Sequence, residues 1–264
     1  MDILIEDRQR VRHVTLDRPN KRNALTLKMC QDIVEAIRSA QSREDIGCIL
    51  ISANGSVFCA GMDLAESAPV EAVLKVHEQL FTLGAQSLKP IVVAVNGAAL
   101  AGGLGLVAQG HVVLASPNGV FGLPELRVGF WPFVVYRSIE VALGKRCALQ
   151  LSLTASNFGA QQGLTWGLVH RICDADELAA IAWNTALEIA ESSPLAIASG
   201  MQYVREAEGK STSEVGAIAA LHRAKLMASA DFKEGTSARK QKRKPSWPSM
   251  PLDFYANRSG PAGE

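Results

Sequence analysis

The chain has 264 residues, 48% of them hydrophobic, with 27 basic against 26 acidic side chains and a formal net charge of +1. That length suits one large domain with a substantial core, or a core with a small appendage, and the even charge gives no global field pointing to nucleic acid or an anionic membrane as the main partner. Five cysteines, odd in number, widely spaced and without a C-x-x-C pair, argue against a disulfide framework or a zinc site and fit a reducing compartment.

The start, MDILIEDRQRVRHVTLDRP, alternates apolar and charged residues, unlike a signal peptide or a transit segment, which predicts a cytoplasmic location. The same pattern predicts strands over Ile3 to Glu6 and Val11 to Leu16, then a loop, DRPNKRNAL. Thr26 is a suitable N-cap, and Leu27, Ile33, Val34 and Ile37 recur at helical spacing, so a helix is expected to run to about Gln41. A buried strand, GCILISA, follows, then a loop through NGSVFCAGMDLAESAP and a helix around Val70 to Gln86.

From Pro90 to Pro124 no Lys, Arg, Asp or Glu occurs, but Asn96, Pro117, Asn118 and seven glycines interrupt the window. Its apolar clusters IVVAV and HVVLAS therefore read as short buried strands, not as a membrane span. Pro124 and Pro132 flank a loop, YRSIEVALGKRCALQLSLTA reads as one helix, and FGAQQGLTWGLVHRI as helix, turn and strand. From Asp176 onward the pattern is almost wholly helical, and the basic cluster RKQKRK, Arg239 to Lys244, is either a solvated helix end or a contact to a phosphorylated ligand or partner. Strands alternating with helices predict a mostly parallel α/β architecture with a helical last third.

The stretch IVVAVNGAALAGGLGLVAQG carries a G-x-G-x-x-A pattern at Gly103, Gly105 and Ala108, with Glu125 twenty positions beyond Gly105. A dinucleotide site needs its first glycine directly after the strand, whereas NGAALA intervenes here, and Glu125 sits in a turn-like FGLPELRVG. An oxyanion hole is the second use of such a loop: a glycine N–H at a helix start has no intrahelical acceptor and no side chain to obstruct a carbonyl. The segment FCAGMDL, Phe58 to Leu64, one α/β unit earlier, offers the second donor from the same sheet edge.

At these residues the chain resembles the crotonase superfamily, or enoyl-CoA hydratase/isomerase family, along nearly its whole length: LDRPNKRNAL, FCAGMDL, VNGAALAGG, FGLPELRVG, LTASNFGAQQGLTWGLVHRI and RKPSW occur in order. The resemblance implies the ClpP/crotonase-like α/β fold, a spiral of repeated ββα units over residues 1–195, with residues 196–264 a C-terminal helical region used for trimers or dimers of trimers. It implies an acyl-CoA thioester as substrate, no metal or redox cofactor, and coenzyme A only as part of the substrate. The N–H groups of Met62 and Gly102 would hold the thioester oxygen, and Lys21, Ala24, Leu25, Ala60, Asp63, Leu64 and Ala65 would lie against CoA.

Hydratases of this family use two glutamates that share a water. The first position reads Gly105 here and the second is Glu125. Losing one carboxylate removes either the base for water or the acid for carbon. The usual glycine-rich segment after the second glutamate is FWPFVVYRS, so Phe130, Trp131 and Phe133 are expected to make a dry pocket that raises the pKa of Glu125. The resemblance therefore implies a one-glutamate isomerase that moves a double bond from the 3,4 to the 2,3 position, with hydration through another second acid and non-catalytic acyl-CoA binding as alternatives. Glu125 as a turn cap and the aromatics as plain core are the structural alternatives. Whether His77, Asp63 or Glu66 takes part is open in the sequence, and Cys59 reads as a packing residue.

Overall fold

The computed structural model describes residues 2–251. The chain begins with a hairpin, β1 (Ile3–Arg8) and β2 (Val11–Leu16), whose two-residue turn puts Gln9 and Arg10 at φ 49° and 67°. A 3-10 turn (Pro19–Lys21) leads to α1 (Leu27–Gln41), capped by the Thr26 hydroxyl accepting from Met29 N–H. Three units of strand, strand and helix follow. The first is β3 (Cys48–Ala53), β4 (Val57–Cys59) and α2 (Val70–Leu80), extended by a short α3 (Leu83–Gln86). The second is β5 (Ile91–Val95), β6 (Ala98–Leu100) and α4 (Gly102–Val107). The third is β7 (Val112–Ala115), β8 (Val120–Gly122), a 3-10 turn (Pro124–Val128), α5 (Phe133–Leu143) and α6 (Lys145–Thr154). The rest is β9 (Asn157–Gly159), α7 (Ala160–Trp166), β10 (Arg171–Ile172) and the helices α8 (Leu178–Ala190), α9 (Pro194–Ala207), α10 (Thr212–Met227) and α11 (Ala230–Lys240).

The first strand of each unit joins a six-stranded sheet of order β1-β2-β3-β5-β7-β10, and the second joins a four-stranded sheet of order β4-β6-β8-β9. In the large sheet every pair but β1–β2 is parallel; in the small one β4, β6 and β8 are parallel and β9 is antiparallel. Period-two alternation explains why IVVAV is apolar throughout: Ile91, Val93 and Val95 enter the core shared with α1 and the small sheet, while Val92 and Ala94 pack under α8 with Cys48, Leu50, Ala182 and Ala186.

Several expectations are corrected. The strands β4, β6 and β8 lie where the sequence suggested loops or turns, and β9 takes the start of the expected helix at Phe158, because three residues are too few to display an alternation. The helix expected over 70–86 breaks at Phe81 and Thr82, where the Thr82 hydroxyl donates to the carbonyls of Glu78 and Gln79 (2.8 and 3.2 Å). The helix expected from Tyr136 to Ala155 is two helices separated by Gly144 at φ 79°. The loop after Pro124 is a 3-10 turn. No dinucleotide geometry exists at Gly103, because β6 and not a helix follows β5.

In the C-terminal part, α8 covers the large sheet, whereas α9 and α10 pack on each other, and α10 buries none of its residues within the chain. Helix α11, capped by Ser229, continues the expected helical region; its buried Asp231 accepts from Ser193 and Ser249 and so ties α9, α11 and the following segment together. The cluster RKQKRK ends this helix, with Arg243 in a two-bond pair with Glu234 (2.6 and 2.9 Å). Residues 252–264 of the expected helical region lie outside the described residues.

Candidate active site

Because β4, β6 and β8 are adjacent and parallel, the segments that follow them emerge on one edge of the small sheet. They carry Met62, Gly102 and Glu125 respectively. The first two loops touch: a Cβ on Gly61 would lie 2.7 Å from the Ala101 methyl and 3.5 Å from Gly102 N, and Gly61 itself turns at φ +96°. Ala101 also occupies the left-handed half of backbone space, at φ 51°, held by its N–H to Gly122 O (2.9 Å).

Leu25 and Met62 form a parallel bridge in which Leu25 N–H donates to Gly61 O (2.7 Å) and Asp63 N–H to Leu25 O (2.9 Å). That pattern turns the N–H of Met62 away from Leu25. Gly102 opens α4, so its N–H has no acceptor inside the helix. The two donors thus stand on neighbouring loops.

The first loop is laced to the N-terminal one. Ala60 N–H donates to Arg22 O (3.0 Å), and Arg18 donates to both Asp63 Oδ2 (2.7 Å) and Ala24 O (3.1 Å). Asp63 Oδ1 also accepts from Ala65 N–H (3.0 Å), and the Arg18 bond is the chief cause holding its carboxyl below the usual range. Glu66 accepts from Leu27 N–H (2.8 Å) at the start of α1. Both acids are therefore occupied in shaping the loops. Of the residues expected against CoA, Lys21, Leu64 and Ala65 are exposed, Ala24, Ala60 and Asp63 are half-buried, and Leu25 lies beneath Gly102 at 1% exposure.

Glu125 lies in the first turn of the 3-10 segment, whose Pro124 presets the backbone and whose Gly129 closes it at φ 73°. Its Oε2 is buried with no hydrogen-bond partner among the described residues, and burial pushes the carboxyl up to about 7. The expected aromatic lining is only partly found. Trp131 is half-buried, 6.1 Å from the Tyr136 ring, but Phe130 and Phe133 are 55% and 70% exposed and meet edge to face at the surface. Helix α5 turns Val135, Ser138 and Ile139 inward, which leaves Phe133 on the outer side.

Gly105 is closed off. A Cβ there would stand 2.8 and 2.9 Å from Phe81 Cε1 and Cδ1 and 3.1 Å from Val135 Cγ1. The same ring reaches Gly102, whose Cβ would lie 3.3 Å from Phe81 Cζ. His77 packs against Phe81 with the rings tilted at 60° (centroids 5.6 Å), and burial lowers its pKa. Phe81, Val135 and Arg18 are site residues that sequence reasoning missed; only a contact between distant segments reveals them. Among the described residues no group of three His, Cys, Asp or Glu could hold a metal, and no helix is long and apolar enough to cross a membrane.

The Enoyl-CoA hydratase/isomerase family model matches residues 6–250. The chain is 34% identical over 244 residues to mevalonyl-coenzyme A hydratase sidH of Aspergillus fumigatus, covering 89% of this chain and 90% of that protein. It is 32% identical over 256 residues to 2,3-dehydroadipyl-CoA hydratase of Escherichia coli K12, covering 93% and 98%. Among solved structures it is similar to human enoyl Coenzyme A hydratase domain-containing protein 3, with a TM-score of 0.87 at 26% identity over 94% of this chain and 100% of that one. The enoyl-CoA hydratase of Mycobacterium smegmatis shares the fold, with a TM-score of 0.86 at 24% identity over 94% of this chain and 99% of that one.

Proposed function

The chain belongs to the enoyl-CoA hydratase/isomerase family of enzymes, with the crotonase fold expected for it, and within that family we propose that it shifts the double bond of an enoyl-CoA from the 3,4 to the 2,3 position, with Glu125 as the one acid and base. The observation that carries this is the buried Oε2 of Glu125, unpaired among the described residues, on a carboxyl raised to about 7. Such a group exchanges protons at neutral pH in both directions. Ionised Glu125 takes a proton from C2. The electron pair moves through the C3=C4 bond and the thioester, giving a dienolate whose oxygen accepts from Met62 and Gly102 N–H. Glu125 then returns the same proton to C4, and the C2=C3 bond forms. Removing one donor of such a pair costs about 3 kcal/mol of transition-state stabilisation.

Phe81 and Val135 support a one-carboxylate site by filling the space at Gly105, and Asp63 and Glu66 are engaged elsewhere. The alternative, hydration of a 2-enoyl-CoA with another second acid, is favoured by the names of both relatives. We place CoA along Lys21, Ala24, Ala60, Asp63, Leu64 and Ala65, with Leu25 as the floor under Gly102, and the reacting end of the acyl group toward Trp131 and Phe133. We also divide the chain into a core over 1–195 and a helical assembly region over 196–264 that forms trimers or dimers of trimers in the cytoplasm. The exposed Val204, Leu221, Met227 and Phe232 support that division, and a second copy over Phe130 and Phe133 would dry the entrance to Glu125.

The test is thioester-conjugation absorbance with a 3-enoyl-CoA and a 2-enoyl-CoA. A rise with the first and no change with the second supports isomerisation. A fall with the second establishes hydration instead.

A further inference from the structure

His77 lies on the same side of α2 as Val70 and Leu74, seven and three positions earlier, which are 71% and 58% exposed. Its ring is half-buried, and neither ring nitrogen bonds any described residue. It packs against Phe81 at a tilt of 60°, and the Phe81 ring in turn occupies the space beside Gly102 and Gly105 that a Cβ at either would enter. A chain whose reacting end lies at Glu125 and whose tail runs on past Phe81 would meet His77 one aromatic ring beyond the reacting carbons.

We propose that His77 determines specificity by hydrogen-bonding a hydroxyl group on the distal part of the acyl chain, so that the substrate class is hydroxylated acyl-CoA rather than plain aliphatic acyl-CoA. The inference rests on the acyl-CoA reading of the site given above. A neutral imidazole offers one N–H donor and one acceptor nitrogen, and a hydroxyl is the small group that matches both. Burial keeps the ring neutral, which disfavours a carboxylate at that place. Phe81 stands between the ring and Gly105, so His77 acts on the remote chain and is not the second acid of a hydration.

The test uses saturated esters, which can neither isomerise nor hydrate, so that binding is read apart from turnover. Titration calorimetry compares hexanoyl-CoA with 5- and 6-hydroxyhexanoyl-CoA on the wild-type protein, on His77→Leu and on His77→Asn, with thermal melting as the folding control. The expected result is about tenfold tighter binding of one hydroxylated ester to the wild type, since a site built to bond a hydroxyl discriminates against the analogue lacking it. His77→Leu abolishes that preference without weakening hexanoyl-CoA, and His77→Asn keeps part of it. Equal binding of all esters to the wild type, or a preference that survives in His77→Leu, overturns the inference while leaving the acyl-CoA reading intact. If no ester binds at all, the acyl-CoA reading falls and the inference with it.

Discussion

The ring of Phe81 occupies the space that a side chain on Gly105 would need, with Cε1 2.8 Å from where a Cβ would stand. Adding a carboxylate there is therefore a packing problem before it is a catalytic one. Gly105→Glu is expected to cost roughly 1–3 kcal/mol by overpacking. In a double-mutant cycle by chemical denaturation, Gly105→Glu with Phe81→Ala should lose about 1 kcal/mol less than the sum of the single variants, because the two share one space. Strict additivity would mean that the ring does not set the limit.

Glu125→Gln removes the one proposed proton carrier while keeping the shape of the side chain. Turnover of a 3-enoyl-CoA should fall about 10³-fold, with KM nearly unchanged, as measured by conjugation absorbance. A variant that keeps most of its turnover would return Glu125 to the role of a turn residue.

The proposed reaction begins with ionised Glu125, so kcat/KM should rise with pH and level off above the carboxyl's value of about 7. Stability runs the opposite way. The folded pKa lies above the unfolded value of 4.5, so the folded state binds more protons between 4.5 and about 7, and stability falls as pH rises through that window. Discounted for partial solvent access, Glu125→Gln should be more stable than the wild type at pH 8 by about 2 kcal/mol and indistinguishable from it near pH 4. Denaturation at the two pH values checks this.

Asp63 holds the first loop to the N-terminal one through Arg18 and its own Ala65 N–H. Asp63→Asn should loosen the strip assigned to CoA without touching Glu125. KM for a CoA ester should rise severalfold while kcat holds, and initial-rate kinetics separates the two. A loss confined to kcat would instead make Asp63 part of the chemistry.

The inner strands of the large sheet were legible because β2, β3, β5 and β7 each carry four or more β-branched or apolar residues, as Ile91 to Val95 does. The small sheet was not, because β4, β6 and β8 have three residues each and take their pairing from neighbours far away in sequence. Glycines signalled the places where backbones meet, Gly61 against Gly102 above all. The aromatic residues misled: Phe130 and Phe133 follow Glu125 in sequence but face outward, while Phe81, from another unit, is the ring that bounds the site. Proximity along the chain was read as proximity in space, and the inward face of α5 decides otherwise.

The three parallel strands of the small sheet also make the site a matter of counting. Met62 lies three positions after the end of β4 (62 − 59), Gly102 two after β6 (102 − 100) and Glu125 three after β8 (125 − 122). An inserted residue in any of these tethers would displace its group by up to about 3.3 Å, a full hydrogen-bond length. The open stretch from Ser67 to Pro69 carries no such constraint, because it leads only to the exposed start of α2. Changes of length are therefore expected to be absorbed in that stretch, whereas the tethers are held in both length and residue, Gly61 and Ala101 by their positive φ and Pro124 by its fixed one.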